Sequence, residues 1–250
     1  MFGEISTEVL AWCAFALLLG GMVKGVVGVG VPMIAVPLMS LAIPAHYAAA
    51  LVILPVIPAN LIQMRAGGPL RDKVVRFWPL VLGLSVGTVI GGWWFTRADP
   101  GLIQLTLGLI VCVFLFVRLS RPNIAIAARW ERRMGLGVGL FAGGVGGMAM
   151  LIGPMVVMYM TALRLAREEF IGSISYIYLV TTFVIAATLA GYSQLDMSLA
   201  TASVVSCLPV FVGMWLGSKL RHLLDQETFE QILSLLLFVI AGSLLFRAFS

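Results

Sequence analysis

Charge is what this chain has least of. Asp, Glu, Lys and Arg make up 11% of its 250 residues, and there are only 2 histidines. Asp and Glu avoid the long apolar runs altogether, with none in 9–64, 77–96, 100–117, 134–163, 170–195, 197–218 or 231–246. Without acids or paired histidines at membrane depth there is no dyad for hydrolysis and no ligand set for a metal, and a cation finds no countercharge. The 3 cysteines, Cys13, Cys112 and Cys207, sit in apolar runs without pairing or metal spacing and read as small packing residues. Before the first apolar run come Glu4 and Glu8 but no Lys or Arg, so the basic region of a cleaved signal peptide is missing and the N-terminus is expected to be retained.

What the chain has is apolar surface. With 61% apolar residues and a mean hydropathy of +1.07, it exceeds what a water-soluble core hides, so it reads as an integral membrane protein. A helix needs ~20 apolar residues to cross the hydrocarbon, and most of the runs fit one crossing each. Runs 9–64 and 134–163 do not; both are too long for a whole number of simple helices, and both carry glycine clusters. Apolar character on every face excludes the alternation of barrel strands. The fold class expected is an all-α membrane bundle.

The basic residues lie between the runs, where the positive-inside rule puts them and where nucleic acid would have no continuous patch. Arg65, Arg71, Lys73 and Arg76 form one cytoplasmic loop, and Arg118, Arg121, Arg129, Arg132 and Arg133 a second. Arg164, Arg167, Lys219 and Arg221 join them on that side, leaving only Lys24, Arg97 and Arg247 of the Lys and Arg residues. Both termini are then expected outside.

The chain also repeats itself. Gly87-x-x-x-Gly91, Asp99 and an apolar helix recur at one constant spacing as Gly213-x-x-x-Gly217, Asp225 and an apolar helix, and 30–37 resembles 147–154. This gives a first transmembrane repeat over 1–117, a basic cytoplasmic linker over 118–134 and a second repeat over 135–250. Each repeat is expected to hold a broken, re-entrant helical hairpin, with half-helices over 9–24 and 32–43 in the first, followed by three crossings. An odd number of crossings inverts the second half relative to the first, the plan of many secondary transporters.

Irregular backbone at membrane depth persists only where it is packed in protein or lines a watery cavity. Gly25, Gly28 and Gly30 permit a first unwound turn and Pro32 suits the opening of the next half-helix; Gly143, Gly144, Gly146 and Gly147 serve a second, with Pro154 following. Two helix N-termini meeting from opposite faces make an anion site near the bilayer midplane. Lys24 is a candidate ligand, or a cation offsetting the C-terminal dipole of its own helix. His46 is a candidate proton carrier or an interfacial residue. Ser173, Ser175 and Tyr176 offer hydroxyls to the site or to a neighbouring helix. Gly25-x-x-Gly28-x-Gly30 lacks the spacing, strand and βαβ setting of a dinucleotide fingerprint.

The segment Gly28-Val-Gly-Val-Pro-Met-Ile-Ala-Val-Pro-Leu, its echo Gly146-Gly-Met-Ala-Met-Leu-Ile-Gly-Pro and the repeated glycine-rich third crossing resemble the sulfite exporter TauE/SafE family of membrane permeases. The resemblance runs through nearly the whole chain. It implies a multi-pass protein of the bacterial inner membrane that moves sulfite, organosulfonates or related small anions, without enzymatic activity, cofactor or metal. Membrane lipid, a coupled proton or sodium ion and a second copy of the chain in a homodimer are the further partners it allows; nucleic acid is not one. The alternatives are a carrier of a carboxylate or a cation and an intramembrane hydrolase. Glu168 and Glu169 resemble the paired glutamates of CAAX-type proteases, but Ser173 stands where those enzymes need Arg and His222 lies in a loop.

Overall fold

The computed structural model describes residues 6–28, 30–120, 125–148, 151–191, 197–220, 235 and 237–246. Among these the chain is helical, with no strand. The first half runs α1 (Thr7–Val27), α2 (Val31–Met39), α3 (Ala45–Gln63), α4 (Leu70–Phe95) and α5 (Pro100–Ser120). The second runs α6 (Ala128–Gly147), α7 (Gly153–Ala162), α8 (Arg167–Gly191), α9 (Met197–Val205), α10 (Cys207–Leu220) and α11 (Leu237–Phe246). Among the described residues five helices are long and apolar enough to cross a membrane, α9 and α10 counting together as Met197–Leu220. The segment 118–134 is helical at both ends, α5 continuing to Ser120 and α6 beginning at Ala128.

Local chemistry sets the boundaries. Ser6 caps α1 by accepting from the Val9 N–H, and Glu8 sits in the first turn beside the positive end of the dipole. At its other end Gly28 turns left-handed with φ 88° and returns its N–H to the Lys24 carbonyl at 2.8 Å. Gly30, at φ 130°, starts α2, where Pro32 falls in the first turn. Pro154 has the same place in α7. Every residue of α2 except Pro32 is buried, so this nine-residue helix forms the centre of the bundle. Its far end is tied back to the start of α1 by the Trp12 indole N–H, which donates to the Leu38 carbonyl at 2.8 Å.

Glycine decides how the long helices pack. Cβ atoms added at Gly83, Gly87 and Gly91 of α4 would run into the backbone of Leu136, Leu140 and Gly144 of α6. From the other side, those at Gly139 and Gly143 would strike Leu80 and Leu84, and one at Gly147 would come within 2.9 Å of the Thr88 carbonyl. Contact positions rise together along the two helices, so α4 and α6 lie parallel with backbones touching. The same seam joins α1 to α10: Gly21 and Gly25 meet Val210 and Met214, while Gly213 and Gly217 meet Leu18 and Met22. Each half therefore lends its first helix to the other half's long glycine-rich helix.

Three expectations are corrected here. Gly25, Gly143, Gly144, Gly146 and Gly147 do not form unwound turns; all lie within α1 or α6. For Gly25, Gly143 and Gly147, close backbone contact across a seam outweighs the ~1 kcal/mol that each glycine costs in helix propensity. Next, the first helix outruns the half-helix expected over 9–24: α1 has 21 residues, about 31 Å, and the break lies at its end. Finally, Gly30 and Gly147 are not counterparts. Gly30 immediately precedes α2 as Ile152 precedes α7, whereas Gly147 matches Gly25, both set into glycine seams. The last crossing before α11 is also interrupted, at Ser206 between α9 and α10.

Candidate functional site

Lys24 lies in the last turn of α1, 2% exposed, where an ammonium group is out of reach of water. Its Nζ donates to Oδ1 of Asn60 in α3 at 2.7 Å and, more weakly, to the Gly28 carbonyl at 3.4 Å. Among the described residues no carboxylate pairs with it. An ammonium has three N–H donors and these oxygens take two. Asn60 is itself fully buried, and because its oxygen serves Lys24, its Nδ2 faces inward with no hydrogen-bond partner. A buried cation thus stands beside unpaired donors, an arrangement costly in a bilayer unless something anionic completes it.

The ends of both short helices come to this region. Gly28 abuts Ile171 of α8, and a Cβ on Gly30 would lie 2.8 Å from Val23 Cγ1, one residue before Lys24. A Cβ on Gly153, the first residue of α7, would lie 3.8 Å from that of Met33 in the first turn of α2. The N-terminal turns of α2 and α7 are therefore neighbours, and their uncapped N–H groups are further donors. The Tyr178 hydroxyl fastens the start of α7 by donating to the Gly153 carbonyl at 2.9 Å. One helical turn beyond Asn60, Gln63 Oε1 accepts from the Ser175 hydroxyl at 3.3 Å.

The sequence candidates divide accordingly. Lys24, Gly28, Gly30 and Pro32 gather at the first break, with Ser175 one turn away across the α3–α8 contact. Pro154 is buried in the first turn of α7. Gly146 lies under the second break, where its carbonyl accepts the Leu151 N–H at 2.7 Å; Gly147 faces Thr88 and Gly91 in the α4–α6 seam. Ser173 is buried in α8 with its hydroxyl unpaired, and Tyr176 is half-buried on the same helix. His46 is not part of this group. It sits at the opposite end of α3 from Asn60, with its ring 4.0 Å from that of Tyr47.

Asn60, Gln63 and Tyr178 are absent from the sequence candidates. Asn60 had a signal, a carboxamide inside an otherwise apolar run, which a search for ionisable groups passes over. A cavity of about 610 Å³ between α1, α3, α9 and α10 contains none of these residues and is almost wholly apolar, so it offers an anion nothing. The buried Lys24–Asn60 pair lies away from this cavity.

No curated protein and no solved structure matches this chain. A family model does: the one described as sulfite exporter TauE/SafE matches residues 13–244. That match takes in nearly every helix described above, and the protein accordingly belongs to the sulfite exporter TauE/SafE family, a family of multi-pass membrane transporters.

Proposed function

We propose that the protein is a secondary transporter of small sulfur-containing anions, sulfite or an organosulfonate, in the bacterial inner membrane, and that the anion binds at Lys24 and Asn60 between the N-termini of α2 and α7. The observation that carries this is the buried Lys24 ammonium, hydrogen-bonded to neutral oxygens alone and adjacent to the unpaired Asn60 Nδ2. An oxyanion supplies the missing charge and has enough acceptors to use the spare N–H groups of both side chains and of the helix ends. A cation gains nothing there. Matching parallel seams, α1 on α10 and α4 on α6, support two halves of inverted orientation, since each pairs a first helix with the helix of like direction from the other half. Such halves can rock about a fixed site.

Purified protein in liposomes tests this with labelled sulfite, a sulfonate, a carboxylate and sodium, each with and without a pH gradient. Sulfite or sulfonate uptake is expected. In Lys24→Met, anion affinity should fall at least tenfold, ~1.4 kcal/mol, while the protein still folds. The competing role for Lys24 is neutralising the α1 dipole, a role its contact with Gly28 also fits. That role predicts lost stability with affinity unchanged.

A further inference from the structure

We propose that the groove between the first turns of α4 and α6 binds the headgroup of an anionic phospholipid. The groove is open, with a volume of about 450 Å³, and is lined by Arg71, Asp72, Arg76, Arg129, Glu131 and Arg132 together with small apolar positions. Its charges are not equivalent. Arg76 is consumed by its neighbours, donating to both oxygens of Glu131 and to Glu169. Arg71, Arg129 and Arg132 are exposed and, among the described residues, pair with no carboxylate. Three free guanidinium groups therefore line one volume in which Glu131 is already held by Arg76 and Asp72 is the remaining carboxylate, a surplus of donors suited to a phosphodiester.

The surroundings favour a lipid over a soluble phosphate. Trp78 and Trp130 are half-exposed beside the arginines, and exposed indoles of this kind mark the headgroup level of a membrane. Below Arg71 on the same face of α4 come Val75, Trp78 and Leu82; below Arg129 and Arg132 on α6 come Leu136 and Leu140, all exposed. Cationic headgroup contacts thus continue into two apolar tracks flanking the α4–α6 seam, a shape that takes a phosphate and its acyl chains together. Basic pockets between transmembrane helices on the cytoplasmic side bind anionic lipid in this way. The site is separate from Lys24 and stands whether or not sulfite is the substrate.

The test uses full-length protein that keeps Trp78 and Trp130 as its only tryptophans, the others replaced by Phe, in phosphatidylcholine vesicles containing brominated phosphatidylglycerol or brominated phosphatidylcholine. Tryptophan quenching reports which lipid occupies the groove. We expect a preference for phosphatidylglycerol of about fivefold or more. It should vanish in R71Q/R129Q/R132Q, and persist in R71K/R129K/R132K and in R65Q/R167Q, which removes basic charge elsewhere on the same membrane face. Gel filtration establishes that each variant is folded. Preference surviving the triple Gln substitution overturns the proposal, as does its equal loss in R65Q/R167Q, which would mark a diffuse surface-charge effect. Displacement of the brominated phosphatidylglycerol by millimolar inorganic phosphate also overturns it, in favour of a site for a soluble anion.

Discussion

The hydroxyl of Ser203 in α9 donates to the Leu51 carbonyl of α3 at 3.1 Å. Leu51 lies four residues before Pro55, whose missing N–H leaves that carbonyl without a helical partner. The same hydroxyl oxygen accepts the Leu54 N–H at 3.2 Å. One serine from the second half thus repairs a gap in a helix of the first, at a depth where water cannot. Ser203→Ala should cost about 1 kcal/mol in denaturation from detergent micelles. In a Pro55→Ala background, where α3 regains its own hydrogen bond, the loss should shrink markedly. Equal losses in both backgrounds would refute the repair.

The glycine seams predict opposite results for glycines whose missing Cβ faces a neighbouring backbone and glycines whose missing Cβ faces open space. A Cβ at Gly87 or Gly213 would press on backbone, and backbone cannot yield cheaply. Gly87→Ala and Gly213→Ala should each destabilise by about 1–3 kcal/mol. Gly137 and Gly144 of α6 have open space where their Cβ would go, so alanine there should be neutral or stabilising by up to ~1 kcal/mol. Thermal unfolding in detergent reads both sets, and a Gly87→Ala protein as stable as wild type would rule out close α4–α6 contact.

Asn60→Asp probes the binding site by satisfying it from within. A carboxylate beside Lys24 would provide the countercharge that the site lacks, at the 2.7 Å separation now held by the carboxamide. Stability should hold or rise while anion uptake in liposomes falls at least tenfold, about 1.4 kcal/mol of binding. Undiminished uptake by Asn60→Asp would separate the anion from this pair.

The proposed inversion of the two halves makes a topological forecast. Cysteine placed at Ala66, between α3 and α4, and at Ser193, in the corresponding loop of the second half, should label from opposite sides of the membrane. Ser193 lies outside the described residues, so this expectation comes from charge distribution and helix order. Labelling of both positions from one side only would end the inverted arrangement.

Membrane class, helical fold and most crossings were legible in the sequence, because apolar run length and the placement of Lys and Arg depend on the bilayer and require no partner. Gly28, Gly30 and Pro32 were legible too, since a left-handed turn followed by a proline is a local event. The roles of the other glycines were not. Gly25 and Gly147 look like turn residues until Met214 and Thr88 are packed against them, and only then does a missing side chain become a contact surface rather than a break. Lys24 announced itself by charge alone. That it meets Asn60, 36 residues further on, depends on how α1 and α3 lie together, and a neutral carboxamide gives no sign in sequence of being the partner of a buried cation. Gly147 takes in its seam the place Gly25 takes in the other, and the residue before each differs: Gly146 in α6, Lys24 in α1. The glycine seams were written in small residues that the sequence displays, while the Lys24–Asn60 pair was fixed by tertiary packing, because burial and partnership are properties of neighbours and not of the residue itself.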